Sequence, residues 1–195
     1  LQEQQLGTAH AVAQARDALE GAEGDVFILY GDTPFIRPET LSMMAAARAG
    51  GAAVVVLGFE AADPGRYGRL IVEGGELLRI VEYKDATEAE RAVTFCNSGV
   101  VCADAAALFD LIDAVSNDNA SGEYYLTDIV GIARDRGLRC ATVACDEAET
   151  LGINTRAELT RAEALFQARR RTEILEDGVT LVAPETVFFA HDTHI

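Results

Sequence analysis

The sequence predicts an α/β fold, a sheet of mostly buried strands layered with helices. Three observations carry this. Short apolar runs at 26–30, 53–59, 95–102 and 138–145 alternate with Ala- and Leu-rich segments of helical length. Gly and Pro stand at the joints between them. The chain has 195 residues, 49% of them hydrophobic and 25% charged, which is a globular composition with enough length to bury a core without disulfide or metal staples.

The elements follow in order. Thr8 is placed to cap a helix over Ala9–Leu19, punctuated by Gly21 and Gly24. Val26–Tyr30 is a short apolar run, the mark of a strand buried on both faces, and it stops at Gly31-Asp32-Thr33-Pro34. Pro38 suits the first turn of a helix to about Ala49, with Gly50-Gly51 as its stop. Ala53–Phe59 is a second buried strand. This helix–strand–helix–strand order predicts a parallel, doubly wound sheet.

The middle of the chain departs from that order. Arg69–Glu73 and Leu77–Tyr83 flank Gly74-Gly75 and read as a hairpin. Thr87 and Glu90 have capping-box spacing before a short helix. A strand over Phe95–Cys102, a helix over Ala103–Val115, a polar loop, a helix over Leu126–Arg136 and a strand over Leu138–Cys145 complete the series. Thr155 and Glu158 form a second capping-box pattern before a helix to about Leu175, rich in Arg. After Gly178 the sequence reads as the start of a new β module.

Composition narrows function. The net charge of −16 argues against nucleic acid or an anionic membrane as partner. An anionic small substrate stays open if a local basic cluster or a bound cation receives it. With no Trp and three His, a His-based metal cage is disfavoured. No apolar stretch approaches the ~18 residues of a membrane-spanning helix, and no secretory signal opens the chain. The four cysteines, Cys96, Cys102, Cys140 and Cys145, lie in β-like runs without C-x-x-C spacing. They read as buried reduced thiols, which places the protein in a reducing, cytoplasmic setting. Walker A, G-x-S-x-G, H-E-x-x-H and EF-hand patterns are absent. The first residue is Leu, so the chain is expected to be a fragment.

Several positions could carry chemistry. Asp32 follows a buried strand, at the carboxyl edge where open α/β sheets bind ligands. There it could hold a hard cation such as Mg²⁺ or merely order a turn. The amides of Gln2 and Gln5, before Gly7 and Thr8, could read a base edge or belong to a solvated terminus. Gly65 and Gly68 allow close backbone approach, or simply shape a turn. Glu82 could accept hydroxyl hydrogen bonds and Lys84 could meet a phosphate, or both could be solvated. Asn97 interrupts an apolar strand and must find partners, in a ligand or in the backbone. Asn154 is a loop residue beside the Thr155 cap.

Taken in order, these pieces resemble one family. They are Gln2 with Gln5-Leu6-Gly7-Thr8-Ala9-His10-Ala11, Leu29-Tyr30-Gly31-Asp32-Thr33-Pro34, Tyr67-Gly68-Arg69, Ile80-Val81-Glu82-Tyr83-Lys84-Asp85-Ala86, Asn97-Ser98-Gly99, Gly122-Glu123-Tyr124-Tyr125-Leu126-Thr127-Asp128, and Gly152-Ile153-Asn154. The family is that of the bacterial bifunctional N-acetylglucosamine-1-phosphate uridylyltransferase/glucosamine-1-phosphate acetyltransferases. Each piece is weak by itself, but seven in sequence are specific. The resemblance implies a Rossmann-like, GT-A-like nucleotidyltransferase fold with a mixed sheet. It implies that UTP and N-acetylglucosamine 1-phosphate give UDP-N-acetylglucosamine and pyrophosphate, with Mg²⁺ as cofactor. Gln2, Gln5 and Gly7 match uracil-recognising positions, with Thr8 beside them. Tyr30 and Gly31 match the lining of the nucleotide-sugar site. Gly68, Glu82 and Asn97 match positions that hold the N-acetylglucosamine moiety, and Tyr125 and Thr127 a segment closing its phosphate side. Asp32 and Asn154 match the two Mg²⁺ ligands.

The same resemblance sets the domain expectation: 1–154 a partial uridylyltransferase domain, 155–177 a linker helix, and 178–195 the start of a left-handed β-helix. The family's Gly-rich, Arg- and Lys-bearing loop and first strand are expected upstream of Gln2, so this stretch alone should be a weak catalyst or inactive. Acetyl-CoA would bind only through the C-terminal half, and the parent would be a homotrimer supplying peptidoglycan and lipopolysaccharide precursors. Two other readings stay open from the sequence: a nucleotidyltransferase for another sugar or base, and a non-catalytic nucleotide-sugar-binding module without the Gly-rich loop.

Overall fold

The computed structural model describes residues 2–195. Six strands form one sheet: β1 (Asp25–Ile28), β2 (Val54–Glu60), β3 (Arg69–Glu73), β4 (Glu76–Val81), β5 (Phe95–Asp104) and β6 (Cys140–Cys145). Their order is β4-β3-β5-β2-β6, with β1 also against β5. The sheet is mixed, as the family resemblance implies, and not parallel throughout as the early alternation alone predicts. β5 runs antiparallel to β1, β2 and β3, and β2 and β6 form the parallel pair. The cause is the β3–β4 hairpin and the return through β5, which insert antiparallel strands into the series. Gly74 and Gly75, at φ 60° and 83°, make its two-residue turn.

The helices are α1 (Thr8–Ala13), α2 (Pro38–Ala49), α3 (Glu88–Arg91), α4 (Ala105–Asp113), α5 (Asp128–Asp135) and α6 (Arg156–Glu176). β2 is the spine of the core. Val54 and Val56 join Leu70, Leu77, Val101 and Ala103 under α4 and α5, while Val55 and Leu57 join Val100 and Cys102 under Met44 of α2. This two-sided burial explains why β2 is apolar without alternation. Each such side chain contributes about 1.5–3 kcal/mol on leaving water.

Several elements are shorter than expected. The first helix ends at Ala13, followed by a 3-10 turn at Asp17–Leu19. Thr8 is its first helical residue, and Gly7 stands at the N-cap. β1 ends at Ile28 and is only half-buried, since β5 is its one strand partner among the described residues. The Thr87 and Thr155 capping boxes both form. Asp104 caps α4 by accepting from the amides of Ala106 and Ala107. All four cysteines are free thiols. Burial first of all pushes Cys102 and Cys140 up to about 11 and Cys145 up to about 12, which keeps them protonated and inert.

The chain divides into two units, Leu1–Thr150 and Leu151–Ile195. Within the second, the Gln167 side chain pairs with the backbone of Phe189, donating to its oxygen and accepting from its nitrogen, both at 2.8 Å. Residues 179–195 form turns, including a 3-10 turn at Pro184–Thr186, and no strand. The new β module expected after Gly178 is therefore not seen in this segment. No helix among the described residues is long and apolar enough to cross a membrane.

Candidate active site

One cavity of about 460 Å³ opens in the first unit, and six of the expected site residues line it: Thr8, Tyr30, Glu82, Asn97, Tyr125 and Thr127. They come from five separate stretches of sequence, so the fold alone brings them together.

Two segments meet at one wall. The Leu6 oxygen accepts from the Tyr124 amide at 2.8 Å, the Ala9 amide donates to the Tyr124 oxygen at 3.0 Å, and Thr8 Oγ1 accepts from the Leu126 amide at 2.9 Å. This clasp seats Thr8 beside Tyr125. Gly7 is required within it. Its φ is 116°, and a Cβ there would stand 2.5 Å from the Tyr124 carbonyl oxygen. Gln2 turns back on the clasp, its amide nitrogen 2.9 Å from His10 Nδ1, while Gln5 is exposed. Neither lines the cavity.

A bulge builds the opposite wall. Val56 pairs with Val101 and Gly58 with Asn97, so one residue of β2 faces three of β5. Ser98 Oγ donates to the Leu57 oxygen at 2.8 Å and accepts from the Val100 amide at 3.2 Å. Asn97 Oδ1 accepts from the Gly99 amide at 2.9 Å. The polar interruption in an apolar strand thereby satisfies the backbone that the bulge releases and also sets Asn97 in the cavity wall. Gly99, at φ 87°, has the Tyr30 ring packed on it, and a Cβ would lie 1.9 Å from Tyr30 Cε2.

Glu82 sits just past β4. It accepts from Thr127 Oγ1 at 3.3 Å, and a Cβ on Gly68 would stand 3.4 Å from its carboxylate oxygens. Burial raises the Glu82 carboxyl above its ordinary range, against the Thr127 hydrogen bond, and Asp128 and Asp85 push the same way as burial. Tyr30 is raised too, by burial first and then by the charges of Glu82 and Asp32. The cavity thus sets two ionisable groups of raised value, Tyr30 and Glu82, beside the hydroxyls of Thr8 and Thr127.

Gly31 and Asp32 lie exposed in the turn after β1 and do not line the cavity, though the Asp32 charge reaches Tyr30. Thr33 closes this turn, with its amide and hydroxyl both donating to the Tyr30 oxygen. Asn154 belongs to the second unit, exposed, its amide donating to Glu158 at 2.7 Å. Among the described residues no three His, Cys, Asp or Glu side chains cluster as a metal cage. The Asp32 carboxylate and, in the second unit, the Asn154 side-chain amide oxygen are each a hard donor of the kind Mg²⁺ takes.

Arg66, Tyr83, Lys84, Ser121 and Glu123 also line the cavity. Lys84 reads from sequence as a candidate phosphate contact or a solvated strand end, and in the structure its Nζ donates to Ser121 Oγ at 2.9 Å. Arg66 and Ser121 had only turn and loop composition to mark them.

The fold is a mixed α/β sheet with a polar cavity in its first unit, an architecture of the nucleotidyltransferase class. Residues 1–146 match the Nucleotidyl transferase family model, and the chain belongs to that family. Over all of its length it is 65% identical to the Bifunctional protein GlmU of Ruegeria pomeroyi and 65% identical to that of Cereibacter sphaeroides. The chain spans 43% of the length of each of these relatives. A nucleoside-diphosphate-sugar pyrophosphorylase from Vibrio cholerae RC9 shares the fold, with a TM-score of 0.57 and 14% identity over 80% of this chain and 64% of that one.

Proposed function

We propose that the protein to which this chain belongs is an N-acetylglucosamine-1-phosphate uridylyltransferase. The observation that carries the reading is the single cavity joining Thr8, Tyr30, Glu82, Asn97, Tyr125 and Thr127. Its support is the family match and the name shared by the similar curated proteins. These give no preference to a different sugar, a different base or a non-catalytic binder.

In this reading Glu82 and Asn97 take the hydroxyl and N-acetyl groups of the sugar, with Gly68 leaving room beside them. Tyr30 and Gly31 flank the nucleotide sugar, and Gln2, Gln5 and Gly7, with Thr8, read the uracil. Tyr125 and Thr127 close the phosphate side, where Lys84 and Arg66 supply positive charge. A phosphate oxygen of N-acetylglucosamine 1-phosphate attacks the α-phosphorus of UTP in line, and pyrophosphate leaves. The chain's own work is to position two anions and hold them against each other's repulsion. Asp32 and Asn154 are the residues that would hold Mg²⁺, whose chemistry is neutralisation of the developing phosphate charge. The word Bifunctional in the relatives' name, and the 43% of their length that the chain spans, are compatible with a partial uridylyltransferase domain over 1–154, a linker helix over 155–177 and, from 178, the start of a β-helix acetyltransferase. That part would take acetyl-CoA and form a homotrimer. A cytoplasmic enzyme feeding peptidoglycan and lipopolysaccharide synthesis completes the reading.

Asp32→Ala in the full-length protein tests it. Loss of a metal-holding carboxylate should lower Mg²⁺-dependent pyrophosphate release by about a hundredfold or more. Asp32 is exposed, so the melting temperature should hardly move. Near-normal turnover would refute the metal assignment. Preference for glucose 1-phosphate over N-acetylglucosamine 1-phosphate would refute the sugar.

A further inference from the structure

Arg69 is the largest of the fully buried side chains, only 2% exposed. None of the ion pairs among the described residues includes it. A guanidinium stays charged at any working pH, and burying one without a carboxylate is costly unless its donors are met. Here backbone carbonyls meet them. One terminal nitrogen donates to the Tyr67 oxygen. The other donates to the Gly65 oxygen at 3.1 Å and the Arg91 oxygen at 3.3 Å, and Nε to the same Arg91 oxygen at 3.4 Å.

The placement of those carbonyls is informative. Gly65 and Tyr67 are the residues immediately before and after Arg66, which lines the cavity. The next residue, Gly68, packs against the Glu82 carboxylate, and its oxygen accepts from the Asn97 amide at 2.8 Å. Arg91, whose carbonyl takes the remaining donors, has its own guanidinium 4.6 Å over the Tyr83 ring and donates to the Tyr83 oxygen. Tyr83 also lines the cavity. One buried fork therefore grips both flanks of Arg66 and ties them to the support of Tyr83.

We propose that Arg69 is a positioning residue that fixes Arg66 in the cavity, so that Arg66 meets the phosphate of the bound sugar phosphate. The inference rests on the uridylyltransferase reading of the cavity and goes beyond it in naming the device that sets one of its cations. Lys at position 69 would keep the charge but lose the planar fork that reaches three carbonyls at once.

The test uses the full-length enzyme as wild type, Arg66→Ala, Arg69→Lys and the double variant. KM for N-acetylglucosamine 1-phosphate, kcat and melting temperature are measured for each. Arg66→Ala should raise KM roughly tenfold, the loss of one charge-assisted hydrogen bond. Arg69→Lys should raise KM by a similar factor, and the double variant no further, because both remove the same contact. A merely structural Arg69 would lower the amount of active enzyme, and so kcat, with KM unchanged, and that result overturns the proposal. So does a double variant showing the product of two independent losses. If Arg69→Lys does not fold, Asp63→Ala replaces it. Asp63 accepts from the Gly65 amide at 3.1 Å and tethers the same loop from its exposed side. Its KM should rise as well, and an unchanged KM overturns the proposal. Titration of wild type with UDP-N-acetylglucosamine separates the two levels. Absence of binding refutes the reading of the cavity and the clamp with it, whereas binding with normal KM in the variants refutes the clamp alone.

Discussion

Glu82 shows most clearly how a site residue conflicts with stability. It is half-buried beside Thr127, with Asp85 and Asp128 adding to the burial that raises its carboxyl. For an acid whose folded value is raised, the native state holds the proton more tightly than the unfolded chain does. Its favourable contribution is complete below the ordinary Glu value of about 4.3. That contribution is lost as pH rises through the raised folded value. Above that raised value the charged Glu82 opposes folding, and Glu82→Gln should raise the melting temperature there. The gain should shrink as pH falls toward the ordinary Glu range, and melts across pH check this. A gain independent of pH would mean that charge is not its source. The same variant should bind UDP-N-acetylglucosamine more weakly, since an amide cannot accept from sugar hydroxyls with both terminal atoms.

At the scale of elements, β5 joins the fold to the site. Its outer half pairs with β1 and β2 as an ordinary core strand. Its bulge at Asn97-Ser98-Gly99 aims one amide at the cavity and gives the Tyr30 ring a surface without a Cβ. Gly99→Ala should displace that ring and strain a backbone at φ 87°. The expected cost is about 2 kcal/mol or more, from overpacking joined to backbone strain. Denaturant unfolding measures it, and a neutral substitution would contradict the packing described. The bulge was partly legible beforehand. Asn97 stood out because a polar amide in an apolar strand demands partners. What the sequence could not distinguish was whether those partners were ligand or backbone, and the structure gives Asn97 both a backbone bond and a place in the wall. The direction of β5 was not legible, because strand polarity depends on which strands become neighbours and not on local pattern. The capping boxes at Thr87 and Thr155, by contrast, are purely local devices and formed as read.

At the scale of the whole molecule, a chain of net charge −16 carries a cavity whose lining is charge-balanced. Arg66 and Lys84 are the cations in its lining, against Glu82 and Glu123. If the proposed substrates bind there, this balance calls for a divalent cation, because two basic side chains cannot offset a triphosphate and a sugar phosphate within an acidic field. The cavity's inner wall was legible from motifs because they sit at strand ends and at glycines, where the fold leaves little choice. Arg66 was not, since its position is set by a buried Arg69 that sequence alone shows only as one more charge.

The most direct measurement is a calorimetric titration of UDP-N-acetylglucosamine into the full-length protein and its Asn97→Ala and Glu82→Gln variants. If the cavity holds the sugar nucleotide, wild type binds one molecule per chain at this site and each substitution weakens binding by roughly tenfold or more, the cost of one lost hydrogen bond to a fixed partner. Binding of equal strength in all three proteins would place the ligand elsewhere and contradict the account.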